Sequence, residues 1–337
     1  MFPSCFKSAK VIPIHKGGNT GDVENYRPIS ILPIMSRILE KCFSVRIYQY
    51  LEDQRIFTPT QFGFRQDRTT EQANIYLTSI INMALDNGYK VATVFLDIVK
   101  AFDTVSHDIL LMKCEIYGIR GPALSFLRSF LSCRKQYVQI GNMGSDENCI
   151  ECGVPQGSVL GPLLFLIFVN DLPQSVSKLE TRMSEIVKKD SAATVPMFAD
   201  DTSLVVIAKS ERLLLESVRE SLNEVSRWLR VNQLKVNPSK SNFLIFSRTS
   251  NYYPWIQHIA YEDGMIARQK AVKYLGIIID ETLSFRSHIE TLSWILSRNL
   301  GMIRKLKYIF PISILRLLYF SLIHPYILYC SSVFFNC

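Results

Sequence analysis

The sequence predicts an α+β chain. Three observations carry this. Lys90–Asp97 is β-rich and apolar on both faces, which marks a buried strand. Met197–Ile207 reads as a hairpin with an acidic tip. Leu214, Val218, Leu222, Val225 and Leu229 recur at helical spacing, so one face of that helix packs on a sheet. Helices thus mix with mostly antiparallel hairpins. At 337 residues and 48% hydrophobic content the chain can bury a large core, or two lobes sharing one.

The elements follow in order. Lys10–Arg27 is polar, Gly-rich and irregular. A helix is predicted from about Pro33 to Glu52, with Ile34, Ile38, Leu39, Cys42 and Val45 on one stripe. A second helix opens at Thr69, where Thr69 and Gln72 have capping-box spacing, and ends at Asn87-Gly88, a left-handed stop. The strand over Lys90–Asp97 follows, with Asp97 at its exit. Gly153–Pro173 reads as a loop feeding a buried helix. Ser175–Thr194 is polar and reads as a surface loop or short helix. After the acidic hairpin and its helix come a short strand over Asn242–Phe246 and a hairpin around Tyr274–Ile277. The tail from Ile289 is helical, basic and aromatic.

Composition narrows the function classes. Lys and Arg number 38 against 30 Asp and Glu, a net charge of +8, which suits a polyanionic partner as well as plain solubility. A charged fraction of 20% excludes a disordered tail. The most apolar run, Val159–Val169, contains Gly161 and Pro162 and falls short of the ~18 residues of a membrane span. The N-terminus carries no basic and apolar leader pattern. Eight scattered cysteines point to reduced thiols in a reducing compartment. Cys149 and Cys152 form a C-x-x-C without the second ligand pair that a zinc site needs.

Three carboxylates carry chemistry. Asp97 at a strand exit, and Asp200 with Asp201 at a hairpin tip, can converge on one sheet edge. A carboxylate in an apolar strand context is costly unless paired or metal-bound. Side chains of successive strand residues point to opposite faces, so the turn is what lets Asp200 and Asp201 approach the same ions. Such a set suits hard cations like Mg²⁺. An Asp pair alone would fit a solvated turn better than a metal site.

The motif series decides between these. Phe198-Ala-Asp-Asp201 resembles the [YF]-x-D-D box of reverse transcriptases, and Phe95-Leu-Asp97 followed by Lys100-Ala-Phe-Asp103 resembles their first aspartate motif. Gly153-Val-Pro-Gln-Gly-Ser-Val-Leu-Gly-Pro-Leu-Leu-Phe165 is similar to the motif between them. Asn25–Ser30 and Gln61–Arg65 resemble the finger motifs of non-LTR elements. Leu234–Lys240 and Lys273–Gly276 resemble the motifs after the hairpin. All seven appear in the family's order over nearly the whole chain. The pattern most resembles the jockey-like branch of LINE polymerases.

The resemblance implies a right-hand polymerase fold. Residues 1–90 would form fingers. Residues 91–280 would form the palm, with an interleaved finger segment near 119–150 and a primer-grip hairpin near 268–282. Residues 283–337 would form a partial thumb. It implies RNA-directed DNA synthesis with two Mg²⁺ ions, Mn²⁺ being a possible substitute. Partners would be an RNA template, a DNA primer and dNTPs, with no membrane and with an endonuclease elsewhere in the parent protein.

By the same resemblance Asp97, Asp200 and Asp201 are the catalytic metal ligands. Phe102 stands at the ribose gate, and Asp103 is a structural or capping residue. Gln156 and Gly157 lie against the incoming nucleotide and template base. Arg27 and Arg65 are triphosphate candidates, since guanidinium suits bidentate phosphate contact; either fits a finger salt bridge or a template-backbone contact equally. Lys240 matches the lysine that would protonate pyrophosphate, and fits an ordinary solvated lysine equally. Tyr274, Leu275 and Gly276 would form the primer grip. The basic and aromatic run Ser293–Tyr329, with Arg298, Arg304, Lys305, Lys307 and Arg316, fits a thumb against template–primer duplex.

Three rival readings are open to this sequence, one of them a repressor or scaffold using the basic surface alone, which gives no reason for three carboxylates at these positions. An RNA-dependent RNA polymerase would carry Gly before the Asp pair and a small or polar residue at the ribose gate; Ala199 and Phe102 argue against it. A non-catalytic nucleic-acid-binding remnant would keep the fold without turnover. Pro196 bears on it, since it fits either an edge position or drift in a decaying copy, and so does an expected thumb that is only partial; the stretch from Pro173 to Phe198, long for the family, reads as a tolerated surface insertion.

Overall fold

The computed structural model describes residues 1–176, 190–248, 255–262 and 264–334. In chain order the strands are β1 (Ser8–His15), β2 (Tyr26–Ile31), β3 (Lys90–Leu96), β4 (Arg134–Ile140), β5 (Met143–Gly144), β6 (Asn148–Ile150), β7 (Ser191–Thr194), β8 (Met197–Phe198), β9 (Asp201–Ala208), β10 (Asn242–Phe246), β11 (His258–Tyr261), β12 (Gly264–Arg268), β13 (Ala271–Tyr274) and β14 (Ile277–Asp280). The helices are α1 (Ile34–Asp53), α2 (Thr70–Asp86), α3 (His107–Ile116), α4 (Gly121–Leu131), α5 (Leu160–Val169), α6 (Leu172–Ser175), α7 (Glu211–Val231), α8 (Arg286–Leu306), α9 (Ile312–Leu322), α10 (His324–Leu328) and α11 (Ser331–Phe334). Among the described residues no helix is long and apolar enough to cross a membrane. The chain forms two compact units.

The first unit comprises residues 1–64, 98–175 and 224–237. Its sheet runs β2-β1-β4-β5, with β6 also on β4. β1 corrects the reading of Lys10–Arg27 as irregular. Val11, Ile12 and Ile14 form a strand antiparallel to β2, and Pro13 lies opposite Pro28. The parallel ladder with β4 covers only Ser8–Val11, so Pro13 withholds no N–H from it.

α5 is buried from Leu160 to Val169 but for Pro162, which is half-buried. The predicted stripe on α1 faces the other way. Ile34 is 76% exposed, Ile38 53% and Val45 47%, whereas Ser36, Glu40, Ile47 and Leu51 are buried. The reason is polar. The Glu40 carboxylate accepts from the backbone N–H of Val159 (2.8 Å) and Leu160 (3.2 Å) and from the Ser36 hydroxyl (2.7 Å). Ser158 Oγ accepts from Gly161 N (2.8 Å), and Pro162 has no N–H to satisfy. The first-turn donors of α5, which no helix can satisfy internally, are thus accounted for by α1 and Ser158. Satisfying a buried helix end outweighed burying the apolar stripe.

The second unit comprises residues 65–97, 176–223 and 238–337. Its sheet runs β11-β12-β10-β3-β9-β7, with β8 also on β9. β3 is central, paired antiparallel to β9 and to β10, and Val91, Ala92, Thr93 and Val94 are all buried, as a strand covered on both faces demands. α2 is closed at its N-terminus by both halves of the Thr69–Gln72 capping box, and Gly88 takes a φ of +79° just beyond its end. Leu77, Ile80, Ile81 and Ala84 of α2 pack in one core cluster with Val91, Val205, Leu244, Ile277, Ile279 and Phe285.

Ser191–Thr194, read as loop or helix, is strand β7, buried but for Ser191; the rest of that polar stretch, 177–189, lies outside the described residues, as do 335–337 of the tail. Pro196 sits between β7 and β8 at the sheet edge, where its carbonyl accepts from Ser203 N (3.0 Å) and its missing N–H interrupts no ladder.

Candidate active site

β8 and β9 form the acidic hairpin. Phe198 pairs with Asp201, so Ala199 and Asp200 are the two-residue loop. Ala199 takes φ +59°, the left-handed sign that such tight loops need and that a Cβ makes costly. The β3–β9 register ends at Leu96 opposite Thr202. Continuing it by one residue sets Asp97 opposite Asp201. The turn and the ladder thus bring Asp97, Asp200 and Asp201 to one edge, and all three are exposed there.

Asp97 is fixed from below: its N–H donates to Ser241 Oγ (3.0 Å), and Ser241 is buried. Sequence reasoning had singled out its neighbour Lys240 instead, which is exposed. A short polar residue opening β10, the strand beside β3, was the available signal.

The electrostatics of the edge are those of crowded like charges. Although Asp201 has solvent-accessible surface, burial of its surroundings, then the charges of Asp200 and Asp97, push its carboxyl up to about 6. Among the described residues no three His, Cys, Asp or Glu groups are drawn together tightly enough to hold an ion. The three carboxylates are neighbours at one edge, close enough for the charges of Asp200 and Asp97 to act on Asp201. Their chemistry fits hard divalent cations: the donors are all carboxylate oxygens, reachable from solvent, and repel one another.

Tyr274 ends β13 with its side chain in the core, 4% exposed, its ring 5.3 Å from that of Phe95. Burial holds its hydroxyl far above the ordinary range. Ser203 faces it, at a geometry that leaves both hydroxyls without a formed hydrogen bond, and the Asp201 charge adds to the shift. Leu275 and Gly276 form the β13–β14 turn with φ of +41° and +88°. Arg65 is half-buried and partnered. On the tail, Arg298 lies over the Trp294 ring (4.9 Å), Lys307 over Tyr308 (4.7 Å) and Arg316 over Phe320 (5.7 Å). α9 has no buried residue.

The first unit holds the other predicted residues. Gly153 and Gly157 are two positions that only glycine fits. Gly153 (φ +85°) would put a Cβ 2.6 Å from Asp103 O, and Gly157 (φ +116°) would put one 2.5 Å from Ser30 O. Backbone bonds tie the same loop down: Gly153 N to Val105 O (2.7 Å), Val154 N to Phe102 O (2.8 Å) and Ser30 N to Gln156 O (2.7 Å). The first aspartate motif, the Gly153–Phe165 motif and the first finger motif are thus locked into one structure.

Asp103 is not a helix cap. Its Oδ1 accepts from Gln156 Nε2 (2.9 Å), which orients the amide. Burial raises the Asp103 carboxyl, against the Gln156 bond and the charges of Lys100 and Lys16. The Phe102 ring stacks on Phe165 (centroids 4.2 Å apart) and meets Phe64 edge-on (6.1 Å). Arg27 lies exposed on β2 opposite Ile14.

The model of the reverse transcriptase (RNA-dependent DNA polymerase) family matches residues 14–279. The chain belongs to this family. Reverse transcriptases generally use divalent metal ions, an RNA template and nucleotide substrates. The chain is 34% identical over 294 residues to the RNA-directed DNA polymerase from mobile element jockey of Drosophila melanogaster, covering 86% of this chain and 30% of that protein. It is 32% identical over 318 residues to the probable RNA-directed DNA polymerase from transposon BS of the same fly, covering 91% and 34%. The chain thus spans about a third of the length of these curated relatives.

Among solved structures it resembles the apo telomerase of Candida tropicalis truncated from the C-terminal domain. The TM-score is 0.54 at 12% identity, over 84% of this chain and 55% of that one. It also resembles the telomerase of Candida albicans in complex with a telomeric RNA fragment, with TM-score 0.53 at 12% identity over 99% and 56%. At that identity the likeness speaks for the fold alone. The reverse transcriptase has the predicted α+β, right-hand polymerase fold.

Proposed function

We propose that this reverse transcriptase chain is the polymerase portion of a LINE-type, jockey-like element protein and copies the element's RNA into DNA. The observation that carries the reading is the β3–β9 register, which sets Asp97 beside Asp201 at the edge where the hairpin turn holds Asp200. Asp97, Asp200 and Asp201 are the residues that would hold two Mg²⁺ ions, or Mn²⁺ in their place. When bound, such ions lower the pKa of the primer 3′-hydroxyl and neutralise the triphosphate and the departing pyrophosphate.

The chain's own residues do the rest. The sheet fixes where the carboxylates stand, through the Ser241 bond at Asp97 and the tight loop at Asp200. Phe102, braced by Phe165, gates the ribose: a ring there clashes with a 2′-hydroxyl and favours dNTPs. Gln156, held by Asp103, and the bare backbone of Gly157 receive the nucleotide and its template base. Arg27 and Arg65 contact the triphosphate, and Lys240 donates a proton to pyrophosphate. Tyr274, Leu275 and Gly276 support the primer terminus. The cations and aromatics of α8 and α9 run along the duplex.

In this assignment residues 1–90 are fingers, 91–280 palm with the finger segment near 119–150, and 283–337 thumb. RNA template, DNA primer and dNTPs are the partners, and the endonuclease lies elsewhere in the full-length element protein.

The test is primer extension on an RNA template with Mg²⁺ and dNTPs, for wild type and for Asp200→Asn/Asp201→Asn. Extension by wild type alone supports the assignment. If both proteins bind template–primer and neither extends it, the chain is a nucleic-acid-binding remnant of such an element.

A further inference from the structure

The β13–β14 turn is built from a residue pair that does not favour it. Two-residue hairpin turns with positive φ at both loop positions prefer Asn-Gly or Gly-Gly. Here Leu275 takes φ +41° and Gly276 +88°. A leucine is a poor occupant of the left-handed region, because its Cβ crowds the carbonyl oxygen that follows. Something outside the hairpin has to hold the turn.

Tyr329 does so. Its hydroxyl donates to the Leu275 carbonyl at 2.6 Å and stands 3.0 Å from the hydroxyl of Thr70, the first residue of α2. Its ring lies along Gly276 so closely that a Cβ there would come within 2.9 Å of Tyr329 Cε1. The tyrosine is itself anchored. Cys330 is fully buried and receives a hydrogen bond from Asn74 Nδ2 (3.5 Å), and Val333 and Phe334 enter the core cluster that holds Ile277, Ile279 and Phe285. A segment more than fifty residues downstream thus clamps the outer side of the turn to the start of α2, while Tyr274 anchors its inner side in the core. Leu275 and Gly276 keep solvent access between these two tyrosines.

We infer that Tyr329 is a positioning residue for the primer terminus: it holds the Leu275–Gly276 turn in the strained conformation in which that turn supports the primer. This rests on the reading of the turn as the primer grip. The carbonyl of Leu275 is fixed by the tyrosine, so the backbone N–H groups and Cα of the turn are the parts left to meet a primer strand.

The experiment has two arms on the purified chain. Amide exchange across Tyr274–Ile277 is compared for wild type, Tyr329→Phe and Tyr329→Phe/Leu275→Asn. Removing one hydroxyl should speed exchange about fivefold, the effect of one hydrogen bond. The Asn variant, which tolerates positive φ, should restore it. Unchanged exchange in Tyr329→Phe, or no rescue, overturns the clamp whatever the chain's activity.

In the second arm, RNA-templated extension by active-site-titrated protein should show about a fivefold rise in KM for primer–template in Tyr329→Phe, with KM for dNTP within twofold. Equal changes in both constants, or a change only in the titrated fraction, overturn the primer role. A wild type that does not extend at all, with the exchange arm positive, refutes the polymerase reading and the primer role together and leaves only the structural clamp.

Discussion

Glu40 is the residue on which the first unit's packing turns. Its carboxylate is fully buried and accepts from Val159 N, Leu160 N and Ser36 Oγ. It is also the nearby charge favouring ionised Arg134, whose pKa is lowered first by burial and whose guanidinium is 1% exposed, with Nε and Nη2 unpartnered among the described residues. Glu40→Ala leaves two buried N–H groups, a buried hydroxyl and a buried cation uncompensated. At about 1–3 kcal/mol per stranded group, with partial relaxation, the loss should be about 4 kcal/mol. Glu40→Gln keeps an oxygen for the helix and loses only the charge, so its cost should be about 1–2 kcal/mol.

The assay is urea unfolding followed by the fluorescence of Trp228, which is 8% exposed and lies in the first unit, in a Trp255→Phe/Trp294→Phe background. With a slope of about 2 kcal/mol per molar urea, the Ala midpoint should fall by about 2 M and the Gln midpoint by under 1 M. An Ala variant within about 1 kcal/mol of wild type would refute the capping account, and so would a Gln variant as unstable as Ala.

Further outcomes follow from the same geometry. Burial raises the Asp280 carboxyl, but bonds from Thr282 and Ser284 outweigh it and hold the group below its ordinary value of 3.8. A depressed carboxyl contributes stability that is present above the unfolded pKa and lost as pH falls through the folded one. Asp280→Asn should therefore destabilise the second unit at pH 7, with the gap to wild type closing below about pH 4 in urea melts. Ser241→Ala removes the acceptor of the Asp97 N–H; it should cost about 1 kcal/mol and slow single-nucleotide incorporation several-fold without changing template–primer affinity. Gly157→Ala meets Ser30 O at 2.5 Å in a left-handed conformation. It should destabilise the first unit by about 2–3 kcal/mol in the Trp228 melt, and the same change at Gly144, where nothing crowds, should be nearly silent.

How far the sequence could be read depended on how local each signal was. The capping box at Thr69, the all-apolar run of β3, the hairpin at Asp200 and the apolar stripe of α7 are decided within a dozen residues, and each stands where it was predicted. What needed a distant partner was not legible. β1 was hidden by Pro13 and its glycine neighbours, and only β2 and β4 make it a strand. β7 looked like polar loop because Ser191–Thr194 is short and weakly apolar; its ladder with β9 comes from across the sheet. The stripe on α1 misled because the helix buries a carboxylate against α5, more than a hundred residues away.

At the candidate site, the motif spacing located Asp97, Asp200 and Asp201. Ser241, Asp103 as the holder of Gln156, and Tyr329 behind the turn emerge only once the strands are paired and the tail is packed.

The most direct test of the central claim is rapid-quench incorporation of one dNTP opposite an RNA template in Mg²⁺, comparing wild type with Asp97→Asn. The account predicts incorporation by wild type and a loss of at least ~10³-fold in the variant, with template–primer binding intact, because an electrostatic ligand is removed from an otherwise unchanged edge. Incorporation that survives in Asp97→Asn, or none by a wild type that binds template–primer, would contradict it.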